Sequence, residues 1–350
     1  MVDIWLDNIV FSLQRAGGIS VVWENIIKAL QGSNLDYCCL EYPGAEHNIV
    51  RKKMQPFNVV SKHPLSIYLE RYTSPEIQSS DPFIFHSSYY RTCHNPNAVN
   101  ITTVHDFIYE LFNRTVVGKV HKFQKSRAIR NSKAIVCISN NTKRDLVKFF
   151  PDIKPVDIRV IYNGVSEDFK PVETHRWDSL DEYVIFIGSR QSYKNFILTV
   201  EALKGTTYKL AIVGGGPLTG MEKIRLNESL GERGYIHLGF LSNQELNELY
   251  NQAVCLIYPS AYEGFGMPVI ESQRAGCPVV AYDASSIPEI IGETPLLLNT
   301  LTVTEVHDKL TMLKQGSIRD EVITAGLENS QRFSWKKMGD EYVELYKDLT

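Results

Sequence analysis

Apolar runs of strand length alternate with stretches of helical period along nearly the whole chain. In the first half "VDIWLDNIV", "DYCCLE", "FNVV", "FIFH", "VNITTV", "AIVCIS" and "IRVIY" predict strands. Helical period follows several of them: in "ISVVWENIIKAL", residues Ile19, Val22, Ile26 and Leu30 fall on one face. In the second half "YVIFIG", "YKLAIV", "YIHLG", "VCLIYP" and "CPVVAY" predict further strands, each followed by a helix-like segment. Strands that are apolar on both faces and joined by helices belong to a parallel sheet covered on both sides. The stretch 163–183, "NGVSEDFKPVETHRWDSLDEY", is polar, turn-rich and follows neither period, which marks a boundary. The pattern therefore predicts an α/β chain of two doubly wound parallel-sheet domains, 1–165 and 172–330, with a cleft between them. In such sheets ligands bind at the C-terminal ends of strands, where loops meet helix N-termini.

Composition adjusts this picture only slightly. At 350 residues, 43% apolar and 22% charged, the chain has material for two cores and the balance of a soluble globular protein. Its apolar runs are strand-sized and too short to span a bilayer. "MVDIWLDNIVF" has neither a basic n-region nor a cleavage site and is expected to be the first strand. The cysteines, at 38, 39, 93, 137, 255 and 277, show no C-x-x-C spacing, so buried free thiols in a reducing, cytoplasmic setting are expected.

Charge is uneven. The net charge is −3, yet residues 1–170 carry 21 basic against 16 acidic residues and the remainder 16 against 24. Between Leu111 and Arg144 nine basic residues occur with no acidic one. That is a basic face on a mildly acidic protein, which argues against nucleic-acid binding. The run "RTVVGKVHKFQKSRAIRNSK", 114–133, predicts a helix with Lys119, Lys122, Lys125, Arg130 and Lys133 outward. Such a face is either simply solvated or drawn to anionic lipid or a diphosphate-linked acceptor.

The stretch "EGFGMPVIE", 263–271, carries the most chemistry. Pro268 suits a first helical turn, and Gly264 and Gly266 disfavour helix before it. Glu263 is then in a loop and Glu271 in the first turns of a helix, reaching different parts of one ligand. The glycines let backbone approach that ligand, and N–H groups at a helix start favour phosphate. A carboxylate about 6 Å from a phosphate charge costs roughly 3 kcal/mol at an effective dielectric near 20. The glutamates therefore suit hydroxyls, and cations must come from elsewhere. "FIGSRQSYKNF" supplies them after Gly188: Arg190 as a fork and Lys194 as a point charge, a pair suited to a diphosphate.

Weaker signals surround these. Gly17 and Gly18 in "QRAGGIS" precede the first amphipathic helix and allow close approach to an anion. His105, in "TTVHDFIYELF", follows a strand and can bond a sugar hydroxyl or stabilise charge in a transition state. "AIVGGGPLTG" imitates a dinucleotide fingerprint, but Gly220 stands one residue too far and no acid follows at the required distance. In "LGFLSNQELNELY", Ser242 and Glu245 form a capping box, and the loop at Leu241 can present backbone to a base. Taken singly, each is equally consistent with an ordinary turn or helix start.

In this order, Gly17-Gly18, His105-Asp106, "VCISNNTKRDL", "IYNGV", "GSRQSYKN", "IVGGGP", "HLGFLSNQEL" and "YEGFGMPVIESQRAGCPVV" resemble the retaining glycosyltransferases of family four. "FSWKKMGDEYVELYKDL" is similar to that family's final helix, and the resemblance runs from about residue 15 to 349. It implies a GT-B fold, with 334–350 crossing back to the first domain. By this likeness Glu263 holds donor-sugar hydroxyls, helped by backbone of Gly264, Phe265, Gly266 and Met267, and Glu271 holds the ribose. Arg190 and Lys194 neutralise the diphosphate, Gly17 and Gly18 approach it from the other domain, and His105 meets the 6-hydroxyl of the transferred sugar. One position departs: many members place Arg directly after the strand glycine, where this chain has Ser189.

The implied reaction moves a hexose from GDP-mannose or a UDP-hexose to a glycan or polyprenyl-diphosphate-linked acceptor, with same-face substitution. The setting is surface-polysaccharide assembly, in the cytoplasm or at the inner face of the membrane. No Asp-x-Asp motif is evident in the second domain, so no metal or other cofactor is expected. Residues 40–95 match nothing specific, as suits a region that sets acceptor choice. An epimerase of the same fold and a non-catalytic nucleotide-sugar-binding protein are the rival readings.

Overall fold

The computed structural model describes residues 3–55, 57–113, 115–153 and 158–350. These divide into two compact units, 1–164 with 334–350, and 165–333.

Unit 1 is built on seven strands: β1 (Ile4–Asp7), β2 (Tyr37–Glu41), β3 (Val59–Ser61), β4 (Phe83–Ser87), β5 (Ala98–Val104), β6 (Ala134–Cys137) and β7 (Ile158–Val160). They lie in the order β3-β2-β1-β4-β5-β6-β7, and every pair is parallel. The first predicted strand is cut short. Asp7 is wholly buried against Arg91, and the Asn8 side chain accepts from the Trp23 indole at 2.7 Å. Two buried polar groups with side-chain partners turn the chain there, so Ile9–Leu13 forms a short helix rather than more strand.

The Gly18–Gln31 helix buries Val22, Trp23, Ile26, Ile27 and Leu30. The Trp335–Leu349 helix packs beside it, with Gly339 so close to Ala29 that an added Cβ would stand 2.6 Å from the Ala29 methyl. Tyr346 and Thr103 hold the buried His86 imidazole at 2.7 and 2.9 Å, which ties this last helix to the sheet.

The basic run forms the helix Val116–Arg130; Arg114 lies outside the described residues. Lys119, Arg130 and Lys133 are exposed as expected and Lys122 partly so, but Lys125 is fully buried. Its ammonium is claimed by Glu110 and the Asp106 carbonyl, both at 2.8 Å. The charge-only reading of this helix missed that inward ion pair, and it also missed the apolar character of the outer face, where Val116, Val117 and Phe123 stand exposed.

Unit 2 carries β8 (Tyr183–Ile187), β9 (Lys209–Val213), β10 (Tyr235–Gly239), β11 (Cys255–Tyr258), β12 (Val279–Tyr282) and β13 (Leu297–Leu298). Their order is β10-β9-β8-β11-β12-β13, again parallel throughout. β13 is two residues long, too short to show any period. The polar stretch after Gly164 belongs to this unit: backbone N–H groups of Lys170 and Val172 donate to the side chains of Asn247 and Asn251. The six cysteines are all buried free thiols. No helix among the described residues is long and apolar enough to cross a membrane.

Candidate active site

In unit 2 the chain runs from β8 outward to β9 and β10, then returns to place β11 on the other side of β8. Loops leaving the C-terminal ends of β8 and β11 therefore part in opposite directions, the arrangement that opens a ligand crevice in doubly wound sheets. Gly188–Asn195 is one of these loops and Pro259–Gly266 the other. They are tied together by Ala261 N–H to the Tyr193 carbonyl at 2.7 Å and by the Asn195 amide to the Pro259 carbonyl at 2.8 Å.

Across this junction Lys194 forms an ion pair with Glu263. Both side chains are about nine-tenths buried, exposed by 12% and 11%. The ammonium also lies 5.3 Å from the Tyr258 ring centre and 5.5 Å from that of Tyr193, a cation held by two aromatic faces. Burial and the Glu263 charge push the Tyr258 phenol well up, so it remains a hydrogen-bond donor to that carboxylate. The loop bearing Glu263 is fixed from the next strand end: Ser285 Oγ accepts from Glu263 N–H at 2.8 Å, and Ser286 Oγ donates to the Glu263 and Phe265 carbonyls, each at 2.9 Å.

Gly264, Phe265 and Gly266 are buried. The Phe265 ring packs edge-on against Phe333, so that residue offers a ligand its backbone and not its side chain. Gly266, at φ 103°, caps the helix Met267–Arg274 in a conformation that favours glycine, and Pro268 stands in its first turn. Glu271 lies one turn further along. Burial lifts its carboxyl to about 7 against a hydrogen bond from Tyr250 that pulls it down.

Arg190 is differently employed. Its guanidinium donates to Glu222 at 2.7 Å and to the carbonyls of Gly214, Gly216 and Pro217 at 3.2, 3.1 and 2.9 Å. Gly214, Gly215 and Gly216 all take φ values of 72–74°, and a Cβ on Gly215 would stand 2.4 Å from an Arg190 nitrogen. The glycine run is thus a collar wrapped round this fork. Glu222 also closes the capping box with Thr219 that starts the Gly220–Leu230 helix. Leu241 sits between β10 and the Ser242–Glu245 capping box, partly exposed beside the outward Phe240.

In unit 1, Gly17 caps the Gly18–Gln31 helix; a Cβ there would meet the Gln14 amide at 2.8 Å, while Gly18 faces open space. His105 follows β5, partly buried. Burial, aided by the nearby Lys125 charge, lowers its imidazole to about 4, so it is a neutral donor or acceptor near pH 7 rather than a cation. Asp106 accepts from Ile108 N–H and shapes the turn.

Of the residues singled out in the sequence, unit 2 brings Lys194 and Glu263 into direct contact, sets Glu271 on the adjoining helix, and commits Arg190 to the glycine loop. Tyr193, Tyr258, Ser285 and Ser286 went unnoticed. The available signal was positional: each flanks or follows the C-terminal end of a strand, where a parallel sheet presents its ligand-facing groups.

The second half of the chain, residues 170–323, matches the family model for glycosyl transferases group 1, and residues 16–169 match that for glycosyltransferase family 4. The O-antigen chain mannosyltransferase B of Escherichia coli is 25% identical over 314 residues, 82% of this chain and 81% of that one. Among solved structures, sucrose-phosphate synthase from Thermosynechococcus elongatus superposes with a TM-score of 0.74 at 16% identity, over 99% of this chain and 98% of that chain. The Anabaena HepE structure in complex with UDP and glucose gives 0.73 at 14%, over 99% and 100%. Two parallel Rossmann-like sheets with these matches define a GT-B protein, and the chain belongs to the family 4 glycosyltransferases.

Proposed function

We propose that the chain transfers a hexose, with retention of anomeric configuration, from a nucleotide sugar to a hydroxyl of a glycan or polyprenyl-diphosphate-linked acceptor. The observation that carries this is the Lys194–Glu263 pair at the β8/β11 crossing, with Glu271 on the adjoining helix. A buried ammonium beside a carboxylate suits a ligand that is anionic at one end and hydroxyl-rich at the other. Lys194 stabilises charge growing on the departing diphosphate; Glu263, supported by the backbone of Gly264–Met267, accepts from sugar hydroxyls; Glu271 accepts from the ribose. The backbone at Leu241 reads the base. Gly17, Gly18 and the neutral His105 are the contribution of unit 1 to donor binding.

In the reaction the bond from the anomeric carbon to the β-phosphate oxygen breaks and its electron pair leaves with the nucleoside diphosphate. The acceptor oxygen bonds the same face of the sugar and passes its proton to the departing phosphate. Lys194 is proposed to supply the positive charge this step requires, with no divalent ion. The likeness to an O-antigen mannosyltransferase supports mannose as the transferred sugar and a role in surface-polysaccharide assembly; GDP-mannose is the proposed donor, and the basic 114–133 region is proposed to face anionic lipid at the cytoplasmic side of a membrane. UDP-hexoses are the alternative donors.

The test is thermal stability against GDP-mannose, UDP-glucose and ADP-glucose, with and without EDTA, followed by determination of the product anomer. One nucleotide sugar should stabilise the protein equally in both conditions, and Lys194→Ala should cut turnover by at least about tenfold without loss of fold. An inverted product, or stabilisation abolished by EDTA, overturns the mechanism.

A further inference from the structure

Lys125 breaks with the basic run that contains it. Its side chain is fully buried, whereas Lys119 and Lys133 stand in solvent. An ammonium leaves water only where charge and hydrogen bonds replace the solvent. Here Glu110 and the Asp106 carbonyl accept from it, both at 2.8 Å, and the ring centres of Phe107 and Tyr90 lie 4.7 and 5.4 Å away. A buried ion pair of this kind adds little stability over an apolar side chain of similar volume. Its use is therefore to be sought in what it touches.

Asp106, Phe107 and Glu110 belong to the segment that directly follows His105, where the chain leaves the C-terminal end of β5. Lys125 ties that turn to the Val116–Arg130 helix, and Tyr90, just after β4, bonds the His105 backbone. The turn is thus held from two other elements of unit 1. Charge acts on the ring as well. The titratable groups around His105 are His86 on β4, Tyr90 after it, Asp106 and Glu110 on its own segment, and Lys125; His121 faces Lys125 from one turn earlier on the helix. Burial keeps His86 and His121 neutral, each down to about 3, and pushes the Tyr90 phenol well up. The Asp106 carboxylate accepts from Ile108 N–H, and that of Glu110 from Lys125 itself. A proton arriving on His105 therefore meets the Lys125 charge in a setting where burial already opposes a second cation.

We propose that Lys125 is a positioning residue for the transfer, acting through His105: from inside unit 1 it pins the 105–107 turn and sets a fixed positive charge behind the imidazole. The sugar then meets a neutral ring at a set place, able to share a hydrogen bond with a hydroxyl. A cationic ring there would stand beside an anomeric carbon that itself turns positive as its bond to phosphate breaks. The role of Lys125 rests on the proposed contact of His105 with the donor sugar.

The experiment pairs a proton titration with a rate. NMR of the full chain with isotope-labelled histidine follows each imidazole against pH, His105 being assigned by the signal missing in His105→Ala. Nucleotide release from GDP-mannose, UDP-glucose and ADP-glucose is followed over the same pH range. The test variant, Lys125→Met/Glu110→Gln, removes both charges and so leaves neither buried without its partner. In the parent, His105 should protonate only near pH 4. In the double variant, melting as the parent does, the midpoint should rise by about one pH unit. The acid limb of nucleotide release should move up with it, and kcat at pH 7 should fall about fivefold with a smaller change in KM. Glu110→Gln alone leaves the ammonium unneutralised and should keep the midpoint at or below that of the parent; a rise there overturns the proposal even if the double variant does not fold. An unchanged midpoint in the folded double variant also overturns it, as does a raised midpoint with the parent's rate profile. Release at the parent rate by His105→Ala sinks the reading of His105 itself, whereas release lost in His105→Ala but kept in the double variant sinks the role of Lys125 alone. No release by the parent from any of the three overturns the donor reading and the role built on it.

Discussion

Glu271 is a carboxyl that its surroundings keep protonated well past the usual range. Its folded value, about 7, lies above the ordinary 4.5, so the folded state holds a proton that the unfolded chain releases. The stability it contributes is complete below about pH 4.5 and lost as pH rises through about 7. Melting of unit 2 should therefore fall by about 5–10 °C between about pH 5 and pH 8, and Glu271→Gln should flatten that slope. Nucleotide affinity should move the opposite way, rising through pH 7 as the carboxylate that accepts from ribose forms; a flat profile would detach Glu271 from the ribose. Arg190 makes a second residue-scale case. A lysine cannot hold Glu222 and three carbonyls at once, so Arg190→Lys should loosen the Gly214–Pro217 collar. Donor KM should then rise about tenfold with a smaller change in kcat. A fall in kcat at constant KM would place Arg190 at the leaving group instead.

At the scale of elements, close approach matters more than charge. Gly339 lets the Trp335–Leu349 helix lie against Ala29, and Gly339→Val should destabilise unit 1 by about 1–3 kcal/mol through forced separation, read by denaturant unfolding. An unchanged midpoint would mean that the helices part at no cost. The strands were legible because a two-face-buried strand writes itself as a continuous apolar run, as in "YVIFIG" and "VCLIYP". β13 was not, since two residues carry no period, and β1 ended early because burying Asp7 and Asn8 depends on Arg91 and Trp23, distant in sequence. The candidate site was legible for the same reason as the strands: Lys194, Glu263 and Glu271 all follow strand ends. What stayed hidden were pairings across loops, such as Ser286 with Glu263, Arg190 with the glycine carbonyls and Lys125 with Glu110. Pattern reading locates a charged group but does not show which way it turns.

For the molecule as a whole, the division into units is not a division of the chain into halves. Unit 2 is one continuous segment, 165–333, whereas unit 1 is closed by 334–350, whose Tyr342, Leu345 and Tyr346 are buried in its core. A chain ending at residue 333 should keep a protease-resistant unit 2 and lose protection throughout unit 1, as mapped by limited proteolysis and mass spectrometry. Equal protection of both would show that unit 1 closes unaided. The return of the last helix also sets a timetable for synthesis. Unit 2 is complete while unit 1, whose strands are translated before it, still lacks a wall of its core, so unit 1 waits for 334–350 to emerge and has the greater need of a chaperone until then.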